Sequence, residues 1–160
     1  ELVKLINSAY RGEHSTKGWT TEAHLLDGLR TDEESLGDMM NKKEAVLLKF
    51  CDENIILQGC VYLERTGNKM YLGMLTVSPL EQTKGIGKQL LRAAEKYTGD
   101  ENCTVVRMTV ISVRKELINW YEKRGYHKTG EMVPFPPNDK LALPNQPLEF
   151  VVMEKEVRNA

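Results

Sequence analysis

The residues best placed to do chemistry are Gln82-Thr83-Lys84-Gly85-Ile86-Gly87-Lys88, a run between a strand-like segment and an amphipathic helical one. The opening turn of a helix leaves about four N–H groups without intrahelical acceptors, and the helix dipole adds partial positive charge at the same end. Phosphate is the natural ligand of such a site. Gly85 and Gly87 carry no side chain, so a diphosphate can approach the backbone, and Lys84 and Lys88 bring full charges beside it. Taken alone, the pattern fits a tight turn with a helix cap equally well. Its place after a strand and before an amphipathic helix favours the phosphate. A Walker A loop would need Ser or Thr where Gln89 follows Lys88, and a dinucleotide fingerprint would need a third glycine at wider spacing.

The second candidate is Tyr121, in Asn119-Trp120-Tyr121-Glu122-Lys123-Arg124-Gly125-Tyr126. A phenol with a pKa of about 10 stays protonated at neutral pH and can act as an acid. The competing reading is a core aromatic, because Leu117 lies four residues earlier on the same helix face. For a base, Glu22 and Glu64 are weak candidates beside a bound water, since isolated acids are usually solvated surface groups. His14, His24 and His127 are scattered, and Cys51, Cys60 and Cys103 are odd in number and far apart, so no metal site or disulfide framework is expected. The cysteines read as small buried side chains in a reducing cytoplasm.

Composition narrows the classes further. With 22 basic and 23 acidic residues the formal net charge is −1, which argues against a nucleic-acid-binding face. No apolar run approaches the ~20 residues of a membrane span, and no signal peptide is legible. A length of 160 residues fits one domain, 1–160, with one core.

Elements that would position these residues follow from periodicity. Helical spacing predicts helices over Leu2–Tyr10, Thr21–Leu29 and, from a Thr31/Glu34 capping box, to about Met40. Strands are expected at Ala45–Cys51, Ile55–Glu64 (Ile55, Leu57, Val61 and Leu63 on one face) and Met70–Val77. Then come a helix from Gly85, a strand over Thr104–Ile111, a helix over Lys115–Lys123 ended by Gly125, and strands over Tyr126–Val133 and Glu149–Val157. Pro134–Pro147 reads as a long loop. Hairpins beside strand-helix-strand units make an α/β (α+β) fold, a mixed sheet with helices on its faces. The loops Arg11–Thr21 and Pro134–Pro147 are the expected specificity segments, with Trp19 and Phe135 as walls of an acceptor pocket.

From about Tyr10 onward the chain resembles the GCN5-related N-acetyltransferase (GNAT) family, on three stretches taken in order. Tyr71-Leu72-Gly73-Met74-Leu75-Thr76-Val77-Ser78-Pro79 is similar to the family's fourth strand, Gln82–Lys88 to its pyrophosphate loop, and Asn119–Tyr126 to the helix end that carries a frequent catalytic Tyr. The resemblance implies a mostly antiparallel sheet whose fourth and fifth strands splay at a bulge. It implies acetyl-CoA as cosubstrate and no metal. The backbone of Leu75, Thr76 and Val77 would pair with the pantetheine arm, one of their N–H groups would face the thioester oxygen, and Gln82, Thr83, Lys84, Gly85, Ile86, Gly87 and Lys88 would hold the diphosphate. Tyr121 would protonate the departing thiolate, and the acceptor would be a small-molecule or peptide primary amine that attacks directly. Many relatives pair as homodimers. Two departures stand out: Arg114 occupies the position seven before Tyr121 where many members have a cofactor-holding Asn, and the chain opens inside the family's first helix, which implies a first strand missing or trimmed. The rival readings are a non-catalytic acyl-CoA-binding regulatory module and a ligand-free interaction domain.

Overall fold

The computed structural model describes residues 1–11, 13–136 and 142–158. Its elements in order are α1 (Leu2–Tyr10), a 3-10 turn (Glu13–Lys17), β1 (Leu26–Gly28), α2 (Glu33–Met40), β2 (Ala45–Cys51), β3 (Leu57–Thr66) and β4 (Lys69–Val77). A 3-10 turn (Pro79–Glu81), α3 (Ile86–Asp100), β5 (Val105–Ile111), α4 (Lys115–Glu122), β6 (His127–Pro134), β7 (Ala142–Pro144) and β8 (Glu149–Glu156) follow. Six strands form one sheet in the order β2-β3-β4-β5-β8-β6, parallel only between β4 and β5. β1 and β7 make a separate antiparallel pair.

Helices cover both faces of the large sheet, and strand alternation decides which side chain goes where. On one face Cys60 and Tyr62 of β3 pack with Leu5 and Ile6 of α1 and Leu36 of α2. On the other, Val61 and Leu63 pack with Leu90, Leu91 and Ala94 of α3 and with Ile118 and Tyr121 of α4. β3 is therefore buried on both sides, whereas the antiparallel edge strand β6 is exposed along most of its length.

Four expectations fail locally. Thr21–Leu29 is not a helix: it turns at Glu22–Leu25 and enters β1, which pairs with Pro144 at Leu26. Partners distant in sequence there outweigh a short run of helix-formers. The second helix is capped by Asp32 rather than Thr31: the Asp32 carboxylate accepts from Ser35 N–H at 2.8 Å, while Thr31 is buried. Ile55 belongs to the hairpin turn, exposed and at φ 62°, because the Asp52 carboxylate gathers the N–H groups of Asn54 and Ile56 and bends the chain before β3 begins. The expected Pro134–Pro147 loop contains β7, and its residues 137–141 lie outside the described ones. Among the described residues no helix is long and apolar enough to cross a membrane, and no three His, Cys, Asp or Glu side chains gather as a metal would require.

Candidate active site

The site is made by a defect in the sheet. β4 and β5 pair only at Lys69–Tyr71 with Val105–Arg107, and beyond that point they part. On its other edge β4 carries a bulge: Cys60 faces Thr76 and Tyr62 faces Gly73, so Met74 and Leu75 together oppose Val61. Met74 adopts φ 51°, which bends the strand. The extra residue also exchanges the faces of β4. Met70 and Leu72 pack with the α3 side, Met74 packs with α1, and Leu75 and Val77 return to the α3 side. Leu75 and Val77 thus line the gap, while the Thr76 side chain is buried elsewhere, its hydroxyl donating to Met74 O at 2.8 Å.

At the wide end of the gap stands the Gln82–Lys88 loop. Among the described residues none of its seven backbone N–H groups has an acceptor, and the first helical bond of α3 runs from Gln89 N–H to Gly85 O. Thr83 at φ 69° and Gly85 at φ 87° hold the chain in the left-handed region, a conformation in which successive N–H groups can converge on an anion. A β-branched residue in that conformation is strained, and such strain concentrates at functional sites. A Cβ at Gly87 would meet Trp120 and Val77 at ordinary contact distances of 3.5 and 3.6 Å, so packing alone does not require glycine there. Gln82 spends its side chain on the loop itself: the amide donates to Val77 O at 3.2 Å and its oxygen accepts from Trp19 N–H. It also lies so near Gly18 that a Cβ there would clash at 2.5 Å. Lys84 pairs with Glu81 at 2.8 Å and Ile86 is buried in the core, so these two offer only backbone to a ligand.

Along the gap runs a cavity of about 400 Å³, lined by Leu75, Val77, Gln82, Thr83, Gly85, Gly87 and Lys88 of the expected residues. Trp19, Tyr10, Arg114, Trp120, Tyr121 and Arg124 line it too, so among the described residues its charged wall comprises Lys88, Arg114 and Arg124, with no acid. Arg124 stacks 3.8 Å from the centre of the Trp120 ring and donates to Trp120 O at 2.8 Å, and its buried Nε has no hydrogen-bond partner among the described residues. A second cavity of about 340 Å³ opens on the other side of the gap, and Tyr10, Leu75, Arg114, Leu117 and Tyr121 line both.

Tyr121 is thus a core aromatic that also lines both cavities. It is 5% exposed, edge-on to Trp120 and Tyr126 at 5.1 and 5.7 Å, and its hydroxyl has no hydrogen-bond partner among the described residues. Burial pushes its phenol far above the ordinary value, with the nearby Tyr10 adding to the rise and Arg114 opposing it. Tyr10, whose hydroxyl donates to Leu75 O at 3.0 Å, is pushed up to about 12, chiefly by burial. Both phenols are protonated across the working pH range.

The sequence reading misses a buried charge cluster in the second cavity. Glu22 accepts from Arg11 Nε and from Arg114 Nη1, each at 3.1 Å, and all three side chains are at most 7% exposed. Arg11 also donates to Leu29 O at 2.6 Å and Arg114 to Thr20 Oγ1 at 2.7 Å. Arg114 is therefore turned toward Glu22 and fixes the start of α4, which carries Tyr121. The other acid, Glu64, lines neither cavity: it sits on β3 with Lys42 and the Tyr62 hydroxyl. Phe135, stacked on Phe150 with ring centres 5.4 Å apart, lines the second cavity, whereas Trp19 lies on the phosphate-loop side.

β4 and β5 part beside a bulge, the Gln82–Lys88 loop stands at the wide end, and Tyr121 lines the cavities there. The model of the acetyltransferase (GNAT) domain matches residues 20–135, and the chain belongs to that family as an N-acetyltransferase. No curated protein sequence matches this chain. Solved structures share the fold at low identity. The ribosomal-protein-S18-alanine N-acetyltransferase of Escherichia coli is 12% identical, with 86% of this chain and 84% of that one covered and a TM-score of 0.69. The PaiA N-acetyltransferase of Thermoplasma acidophilum, in complex with coenzyme A, is 23% identical, with 77% and 70% covered and a TM-score of 0.58. The IAA acetyltransferase of Bacillus cereus is 17% identical, with 79% and 85% covered and a TM-score of 0.66.

Proposed function

We propose that this chain transfers the acetyl group of acetyl-CoA to the neutral nitrogen of a primary amine by direct attack. One observation carries the reading: among the described residues the backbone N–H groups of Gln82 to Lys88 have no acceptors, and Gln82, Thr83, Gly85, Gly87 and Lys88 line a cavity with Tyr121 and with no acid. The amides, together with Lys88 and Arg124, hold the diphosphate, and the unpaired edge of β4 at Leu75–Val77 receives the pantetheine arm. Acetyl-CoA supplies an activated thioester. The acceptor enters from the second cavity, its nitrogen bonds to the carbonyl carbon, the C–S bond breaks, and the nitrogen's surplus proton leaves.

Tyr121 acts on the sulfur. A phenol that holds its proton so tightly donates a hydrogen bond rather than surrendering the proton outright, because a thiolate whose acid has a pKa of about 8.5 is a much weaker base than a buried phenolate. Tyr121→Phe removes that donor and little volume. Its expected effect is a loss of about 10²-fold in kcat, at the lower end for a positioned acid, with acetyl-CoA affinity kept. Thiol release against a panel of amines, with the thermal shift produced by acetyl-CoA, checks both. A Tyr121→Phe protein with full turnover would remove Tyr121 from the chemistry, and a protein that acetyl-CoA does not stabilise would overturn the reading entirely.

A further inference from the structure

We propose that the acceptor is a small primary amine that also carries an oxyanion and an apolar side group, an amino-acid-like molecule, with Arg30 as the anion's chief partner. The inference rests on the acetyl-transfer reading above and concerns the second cavity of that site. Among the described residues three guanidinium groups line this cavity, those of Arg11, Arg30 and Arg114, against the single carboxylate of Glu22. Glu22 is shared between Arg11 and Arg114. Arg30 is left over: half-buried, its side chain has no ion pair and no hydrogen bond among the described residues, and it lies 5.2 Å from the centre of the Tyr10 ring. Arg114 is itself incompletely satisfied, its buried Nε having no hydrogen-bond partner and Glu116 standing 3.8 Å away.

A cavity with a surplus of fixed positive charge selects a negative ligand and repels polycationic amines, since like charges brought together in a poorly solvated site are strongly unfavourable. Phe135, stacked on Phe150, gives the same cavity an apolar surface for a hydrophobic side group. A volume of about 340 Å³ admits a molecule of amino-acid size. The same field also supplies what the site lacks in a base. With Glu22 held between two arginines, nearby guanidinium charge favours the neutral form of the incoming amine. The ammonium loses its proton to water on entry, and the free nitrogen then attacks.

Acetyl-CoA binding is measured first by thermal shift. Thiol release is then followed with L-methionine and L-phenylalanine, with their carboxamides, and with spermidine. The free acids should exceed the amides by at least about tenfold in kcat/KM, the scale of one charge-assisted contact, although the blocked forms deprotonate more readily. Arg30→Gln should bring the ratio of acid to amide close to one, and Arg30→Lys should restore part of it, with thermal midpoints confirming that both fold. Amides or spermidine used as well as the acids, or no acid accepted by a protein that binds acetyl-CoA, would overturn the acceptor assignment while leaving acetyl transfer in place. Absence of acetyl-CoA binding would overturn both.

Discussion

Gly87→Asp should weaken acetyl-CoA binding by about 10³-fold while leaving the protein as stable as before. Residue 87 is the second residue of α3 after the Gly85 cap. A carboxylate in the first turn of a helix interacts favourably with the dipole, by roughly 0.3–1 kcal/mol. The nearest atoms to a Cβ at this position are 3.5 Å away, so the folded chain accommodates one without rearrangement. The ligand's situation is the reverse. A new negative charge about 4 Å from a phosphate repels it by about 4 kcal/mol at an effective dielectric of 20, roughly a 10³-fold loss of affinity. Gly87→Ala is the control: it adds a methyl group and helix propensity but no charge, so it should keep most of the affinity and gain up to about 1 kcal/mol of stability. Titration calorimetry with acetyl-CoA and thermal unfolding, run on both variants, separate the two effects. Gly87→Asp protein that binds like the parent would show that the diphosphate does not lie over these amides. Affinity and stability falling together would show that residue 87 is a packing glycine after all.

What could be read from the sequence and what could not divide along a physical line. The loop before α3 was legible because its signal is local: two glycines, two lysines and the onset of a 3.6-residue apolar repeat at Ile86, Leu90 and Ala94 lie within a few turns of chain. Tyr121 was singled out through the resemblance of its neighbours, although periodicity alone could not say whether it faced the core or a cavity, and it packs in the core while lining the cavity. Arg11, Glu22 and Arg114 were not legible. Glu22 is 11 residues from one partner and 92 from the other, and an isolated acid of unknown burial looks like a surface group. The same cluster accounts for the missed element at Thr21–Leu29, because Glu22 points inward and the chain then turns to meet β7. Arg30 and Arg124 carried no pattern of their own. Their relevance comes from what surrounds them once the sheet has parted.

The cluster yields the second large effect. Glu22→Gln should destabilise the fold by about 3–5 kcal/mol, because it leaves Arg11 and Arg114 buried with no adequate counter-charge. Glu116 is 3.8 Å from Arg114 and 42% exposed on its side chain, too solvated to take over. For a chain of this length such a loss lowers the thermal midpoint by about 10 °C or more, against a total stability of only about 5–15 kcal/mol. The triple replacement Arg11→Met, Glu22→Leu, Arg114→Met separates stability from function. An apolar set of similar volume removes the desolvation penalty along with the attraction, so it should recover most of the stability lost in Glu22→Gln. It should not recover the acceptor site, since two of the three guanidinium groups there are gone and α4 has lost the arginine that ties its first turn to Glu22 and Thr20. Chemical denaturation of the three proteins, set beside kcat/KM for a single acceptor, makes the comparison. A Glu22→Gln protein within about 1 kcal/mol of the parent would mean that water reaches the arginines and that the cluster is not the closed ion pair its burial describes. A triple variant regaining both stability and turnover would mean that these charges serve only the fold.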